Sequence, residues 1–396
     1  MGHARNSLRK PSVLVACASF KGTLTSLQAG RAVARGLTQA GIRARVLALA
    51  DGGEGLVEAV ARSIPGARKI CVPCRGPWGE RRSAQIVFLP ARRGVRVKTA
   101  VIEMSASSGL TLLPPARRDP KRTTTLGVGD QIRAALELGA RAILLGIGGS
   151  ATNDGGAGMA QALGARLLDA AGRDLPPGGA ALLQLDRIEV SQLDPRIGRI
   201  AVTVACDVQN PLCGRRGASA VFGPQKGATP SDVRLLDRAL RRWARIIKRD
   251  LGKHVSSLPG AGAAGGLGGG SLAFLNARLS SGIDLLLDLV GFERLLEDSA
   301  LVITGEGRLD RQTLMGKAPA GIARRARANG VPCLGIGGSV ERGVRTQLGR
   351  VFSGLEDLST FAGSKRAAQK RAAFWLERLG RERASNWLEK GCGKGR

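Results

Sequence analysis

Apolar residues along this chain gather into short runs, each ending in a glycine-rich or acidic stretch: "VLVACA", "RARVLALADGGEG", "AVIEMSASSG", "AILLGIGGS", "IAVTVACD", "LVITGEG" and "PCLGIGGS". Between several of them apolar positions recur at helical spacing, as in "SLQAGRAVARGLTQAG", "TTTLGVGDQIRAALELG" and "APAGIARRARANG". Strand alternating with helix predicts an α/β fold, a mainly parallel sheet covered on both faces. Ligands of such folds gather at the carboxyl ends of the strands, where this chain keeps its glycines and carboxylates.

Two stretches break the alternation. "CVPCRGPWGERRSAQIVFLPARRGVRVKTAVIEM" has the period and turns of antiparallel strands, and "GAGAAGGLGGG" at 260–270 reads as a glycine-rich break. With 396 residues, more than one core usually holds, two domains are expected. The pattern predicts a Rossmann- or flavodoxin-like domain from 10–75 plus 285–396, with a second α/β domain, 76–284, inserted. The last amphipathic stretch, 364–390, puts Ala368, Ala372, Trp375 and Leu379 on one face and predicts a helix docked on the sheet.

Composition adds limits. Seven scattered cysteines without framework spacing suit a reducing cytoplasm, and "CVPC" at 71–74 reads as strand packing, since zinc would want four ligands and histidine occurs only at His3 and His254. No apolar run has the length of a membrane span, and no signal peptide is expected. The 61 Lys and Arg against 31 Asp and Glu leave a formal charge of +30, a field that attracts polyanions. With 3% aromatic residues and no tyrosine, the stacking platforms of single-strand binders are missing, so no specific nucleic-acid partner is expected.

The chemistry lies in the loops. "GIGGSATNDGGAG", 146–158, joins a strand to a helix; its glycines allow a close approach of backbone N–H groups to an anion, and Asn153 and Asp154 add an amide and a carboxylate. Acidic loops follow other strands: Asp51 and Glu54 in "ADGGEG", Asp207 in "ACDVQNP", Glu306 and Asp310 in "TGEGRLD". Lysines flank glycines at Lys21, Lys226 and Lys317. Carboxylates for a hard cation, lysines and glycine loops for phosphate, and almost no histidine point to phosphoryl transfer to an alcohol. A rival stays open: Gly146, Gly148 and Ala151 fit G-x-G-x-x-A after a strand, with Asp169 at a ribose-binding distance, as in an NAD-dependent dehydrogenase.

"SFKGTLTS", "ADGGEG", "VIEMSASSGL", "RTTTLGVGDQI", "ILLGIGGSATNDGGAGMAQALGARLLD", "VACDVQNPL", "GASAVFGPQKGAT", "LPGAGAAGGLGGG" and "LVITGEGRLDRQTLMGKAPAGIA", in this order, resemble the bacterial-type glycerate kinase family over nearly the whole chain. The resemblance implies transfer of the ATP γ-phosphate to D-glycerate with Mg2+, giving 2-phosphoglycerate in preference to the 3-phosphate. It implies Asp207, Asp154 and Lys21 as catalytic candidates. Ser19, Gly148, Gly149, Ser150, Thr152, Asn153, Asn210, Gln225, Lys226 and Lys317 are expected at substrate or nucleotide, and Asp51, Glu54, Glu306 and Asp310 at metal. Cys17 and Ala18 depart from the family, which carries Pro-Asp there, so the chain could also be an impaired homologue.

Overall fold

The computed structural model describes residues 12–20, 22–49, 53–90, 97–314 and 317–392. Its strands are β1 (Ser12–Cys17), β2 (Arg43–Val46), β3 (Arg68–Arg75), β4 (Arg81–Phe88), β5 (Thr99–Glu103), β6 (Ala142–Gly146), β7 (Arg166–Leu168), β8 (Arg187–Glu189), β9 (Ala201–Ala205), β10 (Arg278–Ser280), β11 (Ser299–Glu306), β12 (Cys333–Gly337) and β13 (Gly354–Asp357). They fall into two compact units, Met1–Asp51 with Leu286–Arg396, and Gly52–Leu285.

The first unit holds a five-stranded parallel sheet in the order β13-β12-β11-β1-β2. Its apolar strands are flanked by helices whose buried faces complete one core, among them Val13, Val15, Ala29, Val33, Ile303 and Ile336. The helix Ser26–Gln39 starts on Thr25, which caps Gln28 N–H while the Gln28 side chain returns to Thr25 N–H. The C-terminal pattern forms two helices, Lys365–Lys370 and Ala372–Cys392. Ala368, Ala372 and Leu379 are buried there, and Trp375 is half-covered against the same core. Burial of this stripe removes apolar surface from water at about 25 cal/mol per Å².

The second unit holds a six-stranded sheet, β10-β9-β6-β5-β4-β3, parallel except at β3 and β4, and a small antiparallel pair, β7-β8. The sequence pattern predicts residues up to 75 in the first domain. The division falls between 51 and 52 instead, because β3 pairs with β4 over all of Arg68–Arg75 and so belongs to the second sheet. Cys71 of β3 is exposed and Cys74 buried, as alternate strand positions require. The stretch 260–270 is not a break. It enters a buried turn and the helix Leu267–Phe274, whose Phe274 stacks on Trp243 of the helix Pro230–Leu251 at 5.5 Å. Among the described residues no helix is long and apolar enough to cross a membrane.

Candidate active site

In the second unit four parallel strands end in one row: Glu103 pairs with Gly146, Gly146 with Ala205, and Ala205 with Ser280. The loops that follow therefore leave from one sheet edge, where ligands of parallel sheets bind. They also interlock. Leu110 N–H donates to Gly149 O at 2.7 Å, Ala151 N–H to Ser108 O at 2.9 Å, and Gly282 N–H to an Asp207 carboxylate oxygen at 2.8 Å.

The glycine loop divides sharply in depth. Gly148 is half-buried and Gly149 exposed, with φ +74° at Gly149, so the two form an open lip with Ser150 just beneath. Everything from Ala151 to Ala160 is buried. The later glycines serve packing, not ligand access: a Cβ on Gly155 would lie 2.5 Å from the Trp243 ring, and one on Gly265 would lie 2.0 Å from Thr152 O. The two glycine-rich stretches thus fit into each other, since only hydrogen can occupy these gaps.

Asp154, expected as a base candidate, is 0% exposed and its carboxylate is consumed by the fold. It accepts from Thr125 N–H and Thr125 Oγ1 at 2.8 Å each, from Thr124 Oγ1 at 3.4 Å, and from Gly156 and Gly158 N–H at 3.2 Å each. Burial pushes its pKa above the ordinary carboxylate value, against those donors. Its work is to tie the loop to the helices Leu126–Glu137 and Ala157–Ala162. Thr152, Asn153 and Lys226, expected at ligand, are enclosed as well. Asn153 Nδ2 donates to Ser219 Oγ at 2.9 Å, and Lys226 Nζ donates to Thr152 O at 2.6 Å.

Asp207 is exposed at the shared edge, two residues beyond the pairing row. Asn210 is half-buried and holds its own loop by donating to Arg216 O at 2.7 Å; Gln225 is exposed. Glu54 is exposed at the start of the helix Leu56–Ser63. The residue not singled out from sequence is Glu103, buried at the end of β5. It accepts from Gly55 N–H at 2.9 Å and Val57 N–H at 3.2 Å, and from Ser105 Oγ, and so anchors Gly55 and the start of the helix Leu56–Ser63 to this edge. Its signal was a carboxylate closing an apolar strand ahead of serines, like the other acidic loops.

In the first unit the chain runs from β1 outward to β2 and returns through β11 on the other side of β1, so the order reverses between β1 and β11. Exposed Ser19 follows β1, and Glu306 closes β11, at this switch point. Glu306 accepts from Thr313 Oγ1 at 2.7 Å, Asp310 accepts from Gln312 N–H at 2.9 Å, and Lys317 Nζ lies 3.8 Å from both carboxylates. The edge also carries a small cleft lined by Phe20, Thr23, Gly307, Gly338, Ser339 and Lys365. Lys21 and Asp51 lie outside the described residues. Among the described residues no three His, Cys, Asp or Glu side chains are grouped to hold a metal.

The dinucleotide reading loses its geometry. After β6 the helix begins only at Ala157, well beyond Ala151, and Asp169 sits in a tight turn just after β7, where it accepts from Ala171 and Arg173 N–H at 2.9 Å each. A ribose-binding carboxylate belongs at the end of the next parallel strand, which this is not.

Known proteins agree with the phosphoryl-transfer reading. A sequence profile of the glycerate kinase family matches residues 13–388. A protein named glycerate kinase from Halalkalibacterium halodurans is 48% identical over 84% of this chain and 86% of its own. One named glycerate 2-kinase from Escherichia coli K12 is 44% identical over 90% and 93%. A crystal structure of a candidate glycerate kinase 2 from Salmonella typhimurium LT2 superposes with a TM-score of 0.79 at 42% identity, covering 96% of this chain and 98% of that one. With its parallel sheets, its carboxylates at the strand ends and a match over nearly its whole length, this chain belongs to the glycerate kinase family and is a phosphotransferase.

Proposed function

We propose that the chain transfers the γ-phosphate of ATP to D-glycerate and forms 2-phosphoglycerate. The observation that carries the reading is the edge of the second sheet, where exposed Asp207 and the open lip of Gly148 and Gly149 leave from one row of strand ends. Support for the substrate comes from relatives named glycerate kinase, and for the 2-position from the one named glycerate 2-kinase.

Asp207 takes the role of base for the acceptor hydroxyl, since Asp154 is spent on backbone and threonine donors. A carboxylate suffices because phosphoryl transfer depends on alignment and charge neutralisation more than on basicity. Gly148, Gly149 and Ser150 receive an anionic group on backbone N–H groups, with Asn210 and Gln225 on neighbouring loops. At the edge of the first unit, Ser19 and Lys317 serve phosphate. Magnesium usually keeps water and phosphate ligands and takes only one or two carboxylates, so it enters with the nucleotide, with Glu306 and Asp310 as the acidic pair available to it. No protein-only cage is needed.

The test is ADP release with ATP, magnesium and D-glycerate, with 31P NMR of the product. Glycerate-dependent turnover to the 2-phosphate is expected; no dependence on glycerate overturns the substrate, and a 3-phosphate product overturns the regiochemistry. Asp207→Asn lowers kcat about a hundredfold to ten-thousandfold with little change in Tm. A kcat within a few-fold of wild type removes Asp207 as the base.

A further inference from the structure

The buried floor beneath the lip is held by side chains that come from far away in sequence. Thr123 Oγ1 donates to Ala151 O at 2.9 Å, Lys226 Nζ to Thr152 O at 2.6 Å, and Trp243 Nε1 to Gly155 O at 3.0 Å. Of these only Lys226 carries a charge, and it is 1% exposed. A lysine is rarely enclosed this way, because taking an ammonium out of water is costly unless it is paired and hydrogen-bonded. Its hydrogen bond goes to Thr152 O, and the charge that attracts it is that of buried Asp154. Burial lowers the Lys226 pKa to about 7, against the attraction of Asp154.

Two further polar atoms at this point are unsatisfied, one a hydroxyl and one an amide oxygen. Thr152 Oγ1 and Asn153 Oδ1 are buried and, among the described residues, have no hydrogen-bond partner. Without Lys226, Thr152 O would join them, and three polar atoms would sit unsatisfied under the lip. Such a cluster is a strong reason for local rearrangement, since each orphaned group carries its full desolvation cost. The backbone supports the clamp: Lys226 ends the turn Pro224–Lys226, and Gly227 at φ +92° lies so close to Arg118 O that a Cβ there would approach to 2.5 Å.

We propose that Lys226 is a positioning residue: by clamping the Thr152 carbonyl, it holds the Gly148–Ser150 lip in the shape that receives an anionic ligand. It contacts loop backbone, not ligand. The proposal rests on reading the lip as an anion site, and its test separates the two.

Lys226→Met keeps the length and removes the donor; Lys226→Gln keeps an N–H donor without charge. Both are made in the full chain, followed by hydrogen exchange of peptides covering 146–160 and by initial rates against ATP and D-glycerate. In Lys226→Met, exchange of that segment is expected to rise about tenfold or more while peptides of β11 and β12 stay as in wild type. KM for one of the two anionic substrates should rise about tenfold with a smaller change in kcat, and Lys226→Gln should recover part of both effects. Unchanged exchange in a folded Lys226→Met protein overturns the clamp, as does identical behaviour of the two variants. If neither variant folds, wild type decides: residues 151–158 should exchange as slowly as β6, and rapid exchange there overturns the proposal. Should exchange respond as expected while wild type shows no turnover with glycerate, the clamp stands and the functional reading falls.

Discussion

The pentapeptide Gly-Ile-Gly-Gly-Ser occurs twice, at 146–150 in the second unit and at 335–339 in the first, each time at the carboxyl end of a parallel strand. In the first copy the strand stops at its opening residue, Gly146, and the rest becomes loop, with Gly149 in the left-handed region. In the second the strand runs on through Gly337, and none of Gly335, Gly337 and Gly338 takes a positive φ. The cause is the neighbours. Gly337 has Glu306 of β11 on one side and Asp357 of β13 on the other, so its backbone groups find a ladder. Gly146 has Glu103 and Ala205, but β5 turns at once into the helix Ser105–Ser108, and the ladder ends. A strand continues only while its edges have partners.

Each copy is also served by an aspartate, from opposite sources. Asp154 lies in the same loop and is sealed in. Asp357 arrives on the next strand, where it accepts from Val340 N–H at 2.9 Å and Thr360 N–H at 3.1 Å. Burial raises the Asp154 pKa; at Asp357 burial also pushes upward, but donors from Ser359, Val340 and Thr360 outweigh it and the pKa falls below the ordinary value. The contrast is one of depth.

Substitution at the two aspartates gives the widest separation. Asp154→Ala should lose about 3–5 kcal/mol, because it strands buried donors, whereas Asp357→Ala should lose about 1–2 kcal/mol as a partly exposed helix cap. Urea unfolding of both variants measures this, and equal losses would erase the distinction drawn between the copies.

Next in size is the pH dependence that only the first copy carries. The unfolded Lys226 holds its proton to the ordinary value of 10.5, while the folded one releases it above about 7. Between those values the unfolded chain binds more protons, so folding stability rises with pH, by at most about 1.4 kcal/mol per unit for one proton. Lys226→Met should flatten the wild-type curve between pH 7 and 10. A curve of the same slope in both proteins would assign the dependence to other groups.

The two halves of the glycine loop should then part company. Gly155→Ala forces a methyl into the Trp243 ring at a residue with φ +66° and should cost about 2–3 kcal/mol. Gly149→Ala, with its nearest neighbour Ser105 Cβ at 3.4 Å, meets only the backbone strain of φ +74° and should cost about 1 kcal/mol. Thermal unfolding ranks them, and with the lip read as an anion site Gly149→Ala should change KM more than its stability loss suggests. The reverse order in Tm would mean that the lip, not the floor, is the packed part.

Much of the fold was legible. Apolar runs marked β1, β5, β6, β9, β11 and β12, because strands buried on both faces need continuous apolar sequence. The candidate site was legible only as a set of loops. Thr152, Asn153, Asp154 and Lys226 are polar in sequence, and polar side chains between glycines read as solvent-facing. They are enclosed by distant segments: Gly265 of the 260–270 stretch packs on Thr152 and Asn153, a contact across about a hundred residues that no local pattern announces, and Lys226 reaches in to Thr152 O. Glu103 escaped notice for the same reason: its partners, Gly55 and Val57, lie on another loop altogether.

What the sequence by itself determined is which segments become strands and helices, that the main sheets are largely parallel, and that glycines, carboxylates and lysines collect in the loops between them. Periodicity and turn chemistry are local, and they decide those features within a window of a few residues. The tertiary structure alone decided which of these polar groups face solvent and which hold the floor. Two identical pentapeptides part ways because hydrogen-bond partners and covering glycines come from distant segments. So the depth at which Asp154 and Lys226 lie, and with it their chemistry, follows from packing.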